Sequence, residues 1–267
     1  MLRFASSGRT HVGLVRDHNE DSGFAGPTLQ LVADGVGGAA AGEVASATAA
    51  YVTTAMALAA EHDADLVALL RRAVDLTHDQ LRAGSEADPS RQGMGTTLTA
   101  VLTDGVTSAL AHIGDSRAYL LRGGELRQLT HDHTFVQSLV DEGRITREEA
   151  RTHPWKNVVL HALDGTEAPK PDVLGLELLT GDRLLVCSDG LSDMADDVTI
   201  AGCLGRPDRD EAADALVDAA LTGGGRDNVT VLVADLEEGP RLVGDGLRLG
   251  ALGDPRLVID AAAVRRE

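Results

Sequence analysis

The sequence predicts an α+β fold in which helices pack against antiparallel β-sheets. Two helical segments come early in the chain, a block of strands joined by hairpin turns follows, and a helix and then a strand close the pattern. This order is not the regular alternation of strand and helix that builds a parallel sheet. With 267 residues, 43% of them hydrophobic, the chain is globular and long enough for one large domain or two small ones.

The first predicted elements are one strand and two helices. The run "TLQLVAD" at 28–34 has the composition of a buried strand, and the Ala-rich stretch 42–60 favours a helix. In 64–84, apolar residues recur at helical spacing, and we expect Gly84 to end the helix. The residues on this helical face are Leu66, Leu69, Leu70, Ala73, Val74, Thr77 and Leu81.

The middle of the chain, 95–130, changes to strand chemistry. The pairs Asp104-Gly105 and Gly123-Gly124 lie between β-prone runs, as hairpin turns do. A charged helical stretch, "HTFVQSLVDEGRITREEARTHP", then precedes the strand-like runs "DVLGLELLT" and "DRLLVCSD".

A helix at 209–224 and a strand at 228–236 complete the predicted domain, which covers 1–236. We expect 237–267, which is Gly-rich and mixed in charge, to be a C-terminal extension of unknown role. The sequence leaves open whether it is a tail, an added hairpin or a linker.

Charge and composition argue against several classes of partner. Subtracting 42 acidic from 24 basic residues gives a net charge of -18, so we expect no binding to nucleic acid or to anionic membrane surfaces. No apolar run reaches the roughly 18 to 20 residues that span a bilayer, so we expect no membrane insertion. Aromatic residues make up only 2%, too few for stacking on single-stranded nucleic acid. The first residues lack the apolar core of a signal peptide, and Cys187 and Cys203 have no zinc-like spacing. We therefore expect a cytoplasmic protein with reduced thiols.

Several acidic residues occur where a solvated surface would not place them. Asp34 and Asp189 each end a strongly apolar run and precede a glycine, without the return strand of an ordinary Asp-Gly turn. A carboxylate at the end of a buried strand is costly unless it is paired or metal-bound, and the adjacent glycine leaves its carbonyl accessible. Further acids near strand ends are Glu20, Asp21, Asp115, Asp193 and Asp227. Taken singly, each also fits a cap, a turn or a salt bridge, but together they favour a site for Mg²⁺ or Mn²⁺.

Six motifs, in order along the chain, resemble one known family. They are "GLVRDHNEDS", "LVADGVGGAAAGEVAS", "GTTLTAVL", "HIGDSRAYLLRGGELRQLTHDHT", "LLVCSDGLSD" and "GGRDNVTVLV". The set is similar to the bacterial PP2C-type (PPM) metal-dependent serine/threonine protein phosphatases. This resemblance implies a four-layer αββα sandwich, two antiparallel sheets flanked by pairs of antiparallel helices. It also implies a cofactor of two to three Mn²⁺ or Mg²⁺ ions.

The resemblance also implies roles for individual residues. Arg16 matches the residue that grips the substrate phosphate. The implied metal ligands are Asp34, which bridges both ions, the Gly35 carbonyl, Asp189 and Asp227, with Glu20 acting through water and with Asp115 and Asp193 at a third, weaker ion.

The chain departs from the family pattern near the expected site. Val36 stands where eukaryotic members carry a histidine, a proposed general acid, so either metal-bound water or another group such as His133 protonates the leaving group. The stretch 136–165 matches a flap beside the active site, with Lys156 where bacterial members usually carry arginine. Trp155 in this stretch fits either a flap contact or core packing.

The implied function is hydrolysis of phosphoserine and phosphothreonine in proteins by a water that bridges two metal ions. We expect a monomer that acts on phosphorylated proteins and opposes serine/threonine kinases, with a cognate kinase as a partner. Two alternatives stay open, a catalytically silent phosphoprotein-binding module and a phosphatase of small molecules. The retained aspartates argue against the silent module, whereas the sequence does not separate protein from small-molecule substrates.

Overall fold

The structure is a computed structural model that describes residues 1–36, 41–61, 63–240 and 246–259. Within these ranges the strands are β1 (Leu2–His11), β2 (Asp21–Ala25), β3 (Leu29–Val36), β4 (Gly95–Thr96), β5 (Leu98–Thr103), β6 (Ser108–Ile113), β7 (Arg117–Arg122), β8 (Glu125–Gln128), β9 (Asp172–Leu176), β10 (Arg183–Cys187), β11 (Val229–Glu238) and β12 (Leu247–Gly250). The α-helices are α1 (Gly42–Ala59), α2 (Leu66–Ala87), α3 (Phe135–Asp141), α4 (Arg147–Thr152), α5 (Asp189–Ser192), α6 (Asp197–Leu204) and α7 (Arg209–Thr222). Across this part of the chain, every helix is too short or too polar to cross a bilayer.

The described strands form two antiparallel sheets. The first sheet has the order β1-β11-β10-β7-β8, and the second has the order β12-β2-β3-β5-β6-β9, with β4 paired to the end of β3. The predicted turns at Asp104-Gly105 and Gly123-Gly124 connect β5 to β6 and β7 to β8. Both hairpin predictions are therefore confirmed, as is the α+β class.

Buried apolar residues in the described ranges form three cores, which separate the four layers of the sandwich. Leu31 belongs to the core under α1 and α2, and Val32 belongs to the core between the sheets. In the same way, Val186 faces the core between the sheets, and Leu185 packs towards α6 and α7. Because alternate side chains enter different cores, the central strands are buried on both faces and read as continuous apolar runs. The four-layer αββα prediction is confirmed.

Helix α2 corrects one prediction, because it continues past Gly84 to Ala87. Gly84 is buried, and a Cβ at this position would lie 2.5 Å from Cδ1 of Ile259. The glycine therefore allows close packing within the helix and does not end it. Strands β1 and β2 and helices α5 and α6 are further elements that the sequence pattern did not identify.

Part of the predicted C-terminal extension, 237–267, packs on the domain. Strand β12 pairs with β2 at the edge of the second sheet, and Leu252 and Ile259 are buried in the core under α1 and α2. Residues 241–245 and 260–267 of this segment lie outside the described residues, as do residues 37–40 of the second motif. The described part therefore adds an edge strand and apolar contacts to the sandwich.

Candidate metal centre

The predicted acids converge where strands of both sheets end. In the second sheet Asp34 lies in β3, Glu20 immediately precedes β2, and Asp115 follows β6. In the first sheet Asp189 follows β10 as the first residue of α5, and Asp227 precedes β11. A pocket of about 210 Å³ is lined by Arg16, Glu20, Asp34, Gly35, Val36, Asp115, Asn157, Val159, Asp189 and Asp227. The structure thus brings together all the predicted site residues except Asp193.

The remaining predicted residue, Asp193, lines an adjoining cavity of about 320 Å³ beneath the predicted flap. Asp115 and Asp189 line both cavities, so the two cavities adjoin at these residues. Of the two predicted third-metal residues, Asp115 therefore lies where the cavities adjoin, and Asp193 lies to one side of the central pocket.

Backbone hydrogen bonds hold Asp34 in place. Its N–H donates to the hydroxyl of Thr97 at 3.0 Å, and its carbonyl accepts from the N–H of Thr97 at 2.9 Å. The hydroxyl of Thr96 also lies 2.9 Å from the Asp34 carbonyl. Because the main chain is fixed by these contacts, the carboxylate is left to interact with groups in the pocket.

Gly35 occupies a position where a side chain would not fit. A Cβ built there would lie 2.4 Å from the carbonyl oxygen of Gly42 and 2.8 Å from that of Glu20. The Gly35 N–H donates to the Glu20 carbonyl at 3.2 Å. Glycine therefore lets β3, the Glu20 loop and the start of α1 approach one another closely beside the pocket that Gly35 lines.

The pocket carboxylates are held in an environment that disfavours their negative charge. Burial, and then the charges of Asp21 and Asp189, raise the pKa of Asp34 well above its usual value. Burial, followed by repulsion from Asp193, raises the pKa of Asp189 to about 6. Burial and the neighbouring Asp189 also raise the pKa of Asp115 well above its usual value. Cations bound among these groups would relieve both the desolvation and the repulsion.

The donor atoms suit Mn²⁺ or Mg²⁺, which prefer oxygen ligands. Among the described residues, Oδ1 of Asp189 is buried without a hydrogen-bond partner, so it is available to a cation. The same part of the chain contains no group of three or more His, Cys, Asp or Glu side chains already arranged around one point. Arg16 instead pairs with Asp227, with Nη2 2.7 Å from Oδ2, and Lys156 pairs with Asp193. Coordination therefore requires side-chain rotation on a backbone that already gathers the ligands.

Asp21 is a buried acid that the sequence places among the acids near strand ends, although the family resemblance implies no individual role for it. It lies opposite Asp34 across the β2–β3 pair, and its Oδ2 accepts from the hydroxyl of Ser188 at 2.8 Å. Burial raises its pKa to about 7. The Ser188 hydroxyl also accepts from the Thr230 N–H at 2.9 Å, which links both sheets behind the pocket. In the sequence, only the position of Asp21 directly after Glu20 in "NED" indicates that it lies near the site.

Asn228 is a second residue whose role the sequence did not reveal. Its Oδ1 accepts from the Glu20 N–H at 2.8 Å, and its Nδ2 donates to the carbonyls of Val12 and His18 at 2.9 and 2.8 Å. These three bonds fix the loop that carries Arg16 and Glu20 to the start of β11. In the sequence, only its position directly after Asp227 in the last motif indicates that Asn228 lies near the site.

The alternative proton donor, His133, is held outside this site. Its Nδ1 accepts from the Gly114 N–H at 3.2 Å, and its Nε2 lies 3.3 Å from Asp172. Burial lowers the pKa of His133, and the residue does not line the central pocket. Its position therefore gives no support to a catalytic role.

Comparison with known proteins gives a consistent family assignment. The family model described as Protein phosphatase 2C matches residues 15–217. The serine/threonine protein phosphatase PstP of Mycobacterium tuberculosis is 51% identical over 238 residues, which cover 88% of this chain and 45% of that protein. The chain thus spans about half the length of this relative.

Shorter relatives and solved structures match over most of their length. The serine/threonine phosphatase stp of Listeria welshimeri is 37% identical over 239 residues, covering 85% of this chain and 94% of that protein. The crystal structure of a PstP catalytic domain in complex with two manganese ions has a TM-score of 0.83 and 48% identity, covering 89% of this chain and 100% of that one.

Proposed function

This chain belongs to the protein phosphatase 2C family, and from that premise we propose that it hydrolyses phosphoserine and phosphothreonine in proteins with bound Mn²⁺ or Mg²⁺. The observation that carries the proposal is the meeting of one arginine with five buried or half-buried carboxylates in a single pocket. The manganese ions in the related PstP structure support the choice of metal.

The pocket residues divide into metal ligands and a phosphate ligand. Asp34, the Gly35 carbonyl, Asp189 and Asp227 would hold two ions, with Glu20 acting through water. When bound, two divalent cations supply charge neutralisation at the phosphate and make water a stronger acid. Asp115 and Asp193 would hold the third, weaker ion.

Arg16 would bind the substrate phosphate. Its side chain is 48% exposed at the pocket, where its planar guanidinium can donate two parallel hydrogen bonds to phosphate oxygens. Moving from Asp227 to the phosphate would also release a carboxylate for metal binding. We therefore expect substrate and metal to favour the same rotation of Arg16.

The leaving oxygen of the substrate must receive a proton. Val36 lines the pocket but carries no titratable group, and His133 lies outside it. Water is therefore the proton donor in this proposal. The asparagine side chain of Asn157 and the valine side chain of Val159, both from the flap, line the pocket and would limit how much water enters.

The test is phosphate release from a phosphothreonine peptide and from p-nitrophenyl phosphate by the purified chain with Mn²⁺. We expect EDTA or Asp189→Asn to abolish both activities, while Asp75→Asn, on the exposed face of α2, leaves them unchanged. Binding of phosphopeptides without turnover at any metal concentration would instead identify a silent binding module. Turnover of phosphorylated metabolites but not of peptides would identify a small-molecule phosphatase.

The proposed activity implies a serine/threonine kinase that phosphorylates the proteins from which this chain removes phosphate. A kinase gene beside that of this chain would name the partner to test. The proposal predicts that the kinase, phosphorylated by itself in vitro, loses phosphate to the wild-type chain and not to Asp189→Asn.

A further inference from the structure

The loop that carries Arg16 presents two exposed aliphatic side chains beside the pocket. Leu14 is 66% exposed and Val15 is 67% exposed. The loop is held in place, because the Leu14 N–H donates to the Gly225 carbonyl at 2.6 Å. Gly13 has φ +83°, and a Cβ there would lie 2.3 Å from the carbonyl oxygen of Asp227. The two side chains are thus displayed by an ordered loop.

The predicted flap presents exposed apolar side chains on the loop whose residues Asn157 and Val159 line the same pocket. Trp155 is 59% exposed and Val158 is 44% exposed. Val158 directly follows the pocket-lining residue Asn157, and Trp155 stands two positions before it. The Val158 carbonyl accepts from the Phe135 N–H at 2.8 Å. The ring of Trp155 meets that of Phe135 edge to face, with centroids 5.3 Å apart. The tryptophan is therefore oriented by packing although more than half of it faces solvent.

We infer that Leu14, Val15, Trp155 and Val158 form an apolar rim that selects phosphopeptides with apolar residues next to the phosphorylated serine or threonine. The inference rests on the proposed function, because it places the phosphate in the pocket beside Arg16. The occupant is the peptide segment on either side of the phosphorylated residue.

Continuity with the pocket favours this occupant. Val15 directly precedes Arg16, and Val158 lies between the pocket-lining residues Asn157 and Val159. An extended peptide advances about 3.3 Å per residue, so the residues adjacent to a phosphate held in the pocket lie within reach of its rim. Exposed apolar side chains that border a polar pocket are typical of ligand-binding surfaces.

Charge favours apolar over acidic flanking residues. The chain carries a net charge of -18, and its only tryptophan lies at this rim although aromatic residues make up just 2% of the sequence. Acidic side chains beside the phosphate would be repelled by the protein as a whole, with a strength that depends on salt. Apolar side chains would instead cover the exposed tryptophan, leucine and valines.

The first test compares kcat/KM for phosphothreonine peptides of equal length whose flanking residues are all leucine and valine, all serine, or all glutamate. We expect the apolar peptide to exceed the serine peptide by about tenfold, as for removal of one large apolar contact. Trp155→Ser and Val15→Ser should each lower this ratio several-fold. Because the readout is a ratio, a general loss of activity cancels.

Val106→Ser is the matched control. Val106 is 80% exposed in the β5–β6 turn, at the opposite end of these strands from Thr97 and Asp115. This substitution removes an exposed valine far from the pocket, so the ratio of kcat/KM for the apolar peptide to that for the serine peptide should equal the wild-type value. A ratio that falls equally in Val106→Ser and Val15→Ser would overturn the inference.

The second test measures binding without catalysis. Trp155 is the only tryptophan, so its fluorescence reports directly on the rim. With Mn²⁺ and non-hydrolysable phosphonate versions of the peptides, we expect a blue shift with the apolar peptide and a smaller one with the serine peptide. A Trp155 emission that is concentration-dependent without peptide would assign the rim to a second copy of the chain and refute the inference.

The outcomes separate the rim from the proposed function. Equal turnover of all three peptides, within twofold, would overturn the rim and leave the phosphatase activity intact. A blue shift specific to the apolar peptide without hydrolysis of any peptide would support the rim and overturn the activity.

Discussion

Replacing Asp189 with asparagine should stabilise the chain in the absence of metal. Burial and neighbouring carboxylates raise the pKa of Asp189 from 3.8 to about 6. A raised pKa means that the folded chain holds a proton which the unfolded chain releases, so stability falls as the pH rises through this interval. The shift of about two pH units corresponds to about 3 kcal/mol at pH values above about 6. Asparagine removes the charge and keeps nearly the same side-chain volume.

The assay is thermal unfolding of the wild-type chain and Asp189→Asn in EDTA at about pH 8 and again at about pH 5. For a chain of this size, about 3 kcal/mol corresponds to a rise in Tm of roughly 5 to 10 °C. The gain should fall to about half at about pH 5, because the wild-type carboxyl is then largely protonated in the folded state. With Mn²⁺ at pH 8, the order should reverse, since only the wild-type chain keeps the full set of ligands.

The reasoning would be refuted by a metal-free Asp189→Asn chain that melts below the wild type at pH 8. The same conclusion would follow from a stabilisation that is equal at both pH values, because it would not depend on the ionised carboxylate. Asp75→Asn controls for the loss of one acidic residue from a chain of high negative charge.

Three further substitutions test the phosphate site, a buried ion pair and the close packing of α1 against β3 at Gly35. Arg16→Ala should lower kcat/KM for a phosphothreonine peptide by about 10- to 100-fold, the value of a lost hydrogen bond between charged groups, and Arg16→Lys should restore only part of it. Arg117→Ala should lower the free energy of unfolding in urea by about 3 to 5 kcal/mol, because Arg117 donates to the buried Asp132 at 2.6 to 3.0 Å and the carboxylate would lose its cation. Replacing both Arg117 and Asp132 with leucine should recover most of this loss, because no buried charge remains. Gly35→Ala should cost about 1 to 3 kcal/mol and weaken the Mn²⁺-dependent rise in Tm, because the new methyl group would lie 2.4 Å from the Gly42 carbonyl; an unchanged Tm would mean that α1 shifts freely.

The elements that the sequence predicts depend on neighbouring residues, whereas the elements that it misses depend on partners far along the chain. The run before Asp34 reads as a strand because both faces of β3 are buried, and the glycines at the hairpins require no distant partner to form a turn. Strand β1, "LRFASSGRTH", is largely polar, and it is a strand because it pairs with β11 over ten residues. Gly84 was misread for the same reason, since its function depends on the distant Ile259.

The site shows the same division. Asp34 and Asp189 were identifiable because each acid follows an apolar run, which is visible in the chain itself. The supporting role of Asn228 depends on partners more than 200 positions away, at Val12, His18 and Glu20. No periodicity or spacing in a single sequence encodes such a contact.

The sequence by itself determined the strand and helix interiors and the inventory of acids at strand ends, because apolar periodicity and turn chemistry act over a few residues. Only the tertiary structure decided which acids share a pocket, since pairing of β3 with β5 and of β10 with β11 brings together residues far apart in the chain. The raised pKa values of Asp34 and Asp189 also arise only there, because desolvation and repulsion act through space and depend on the folded distances between charges.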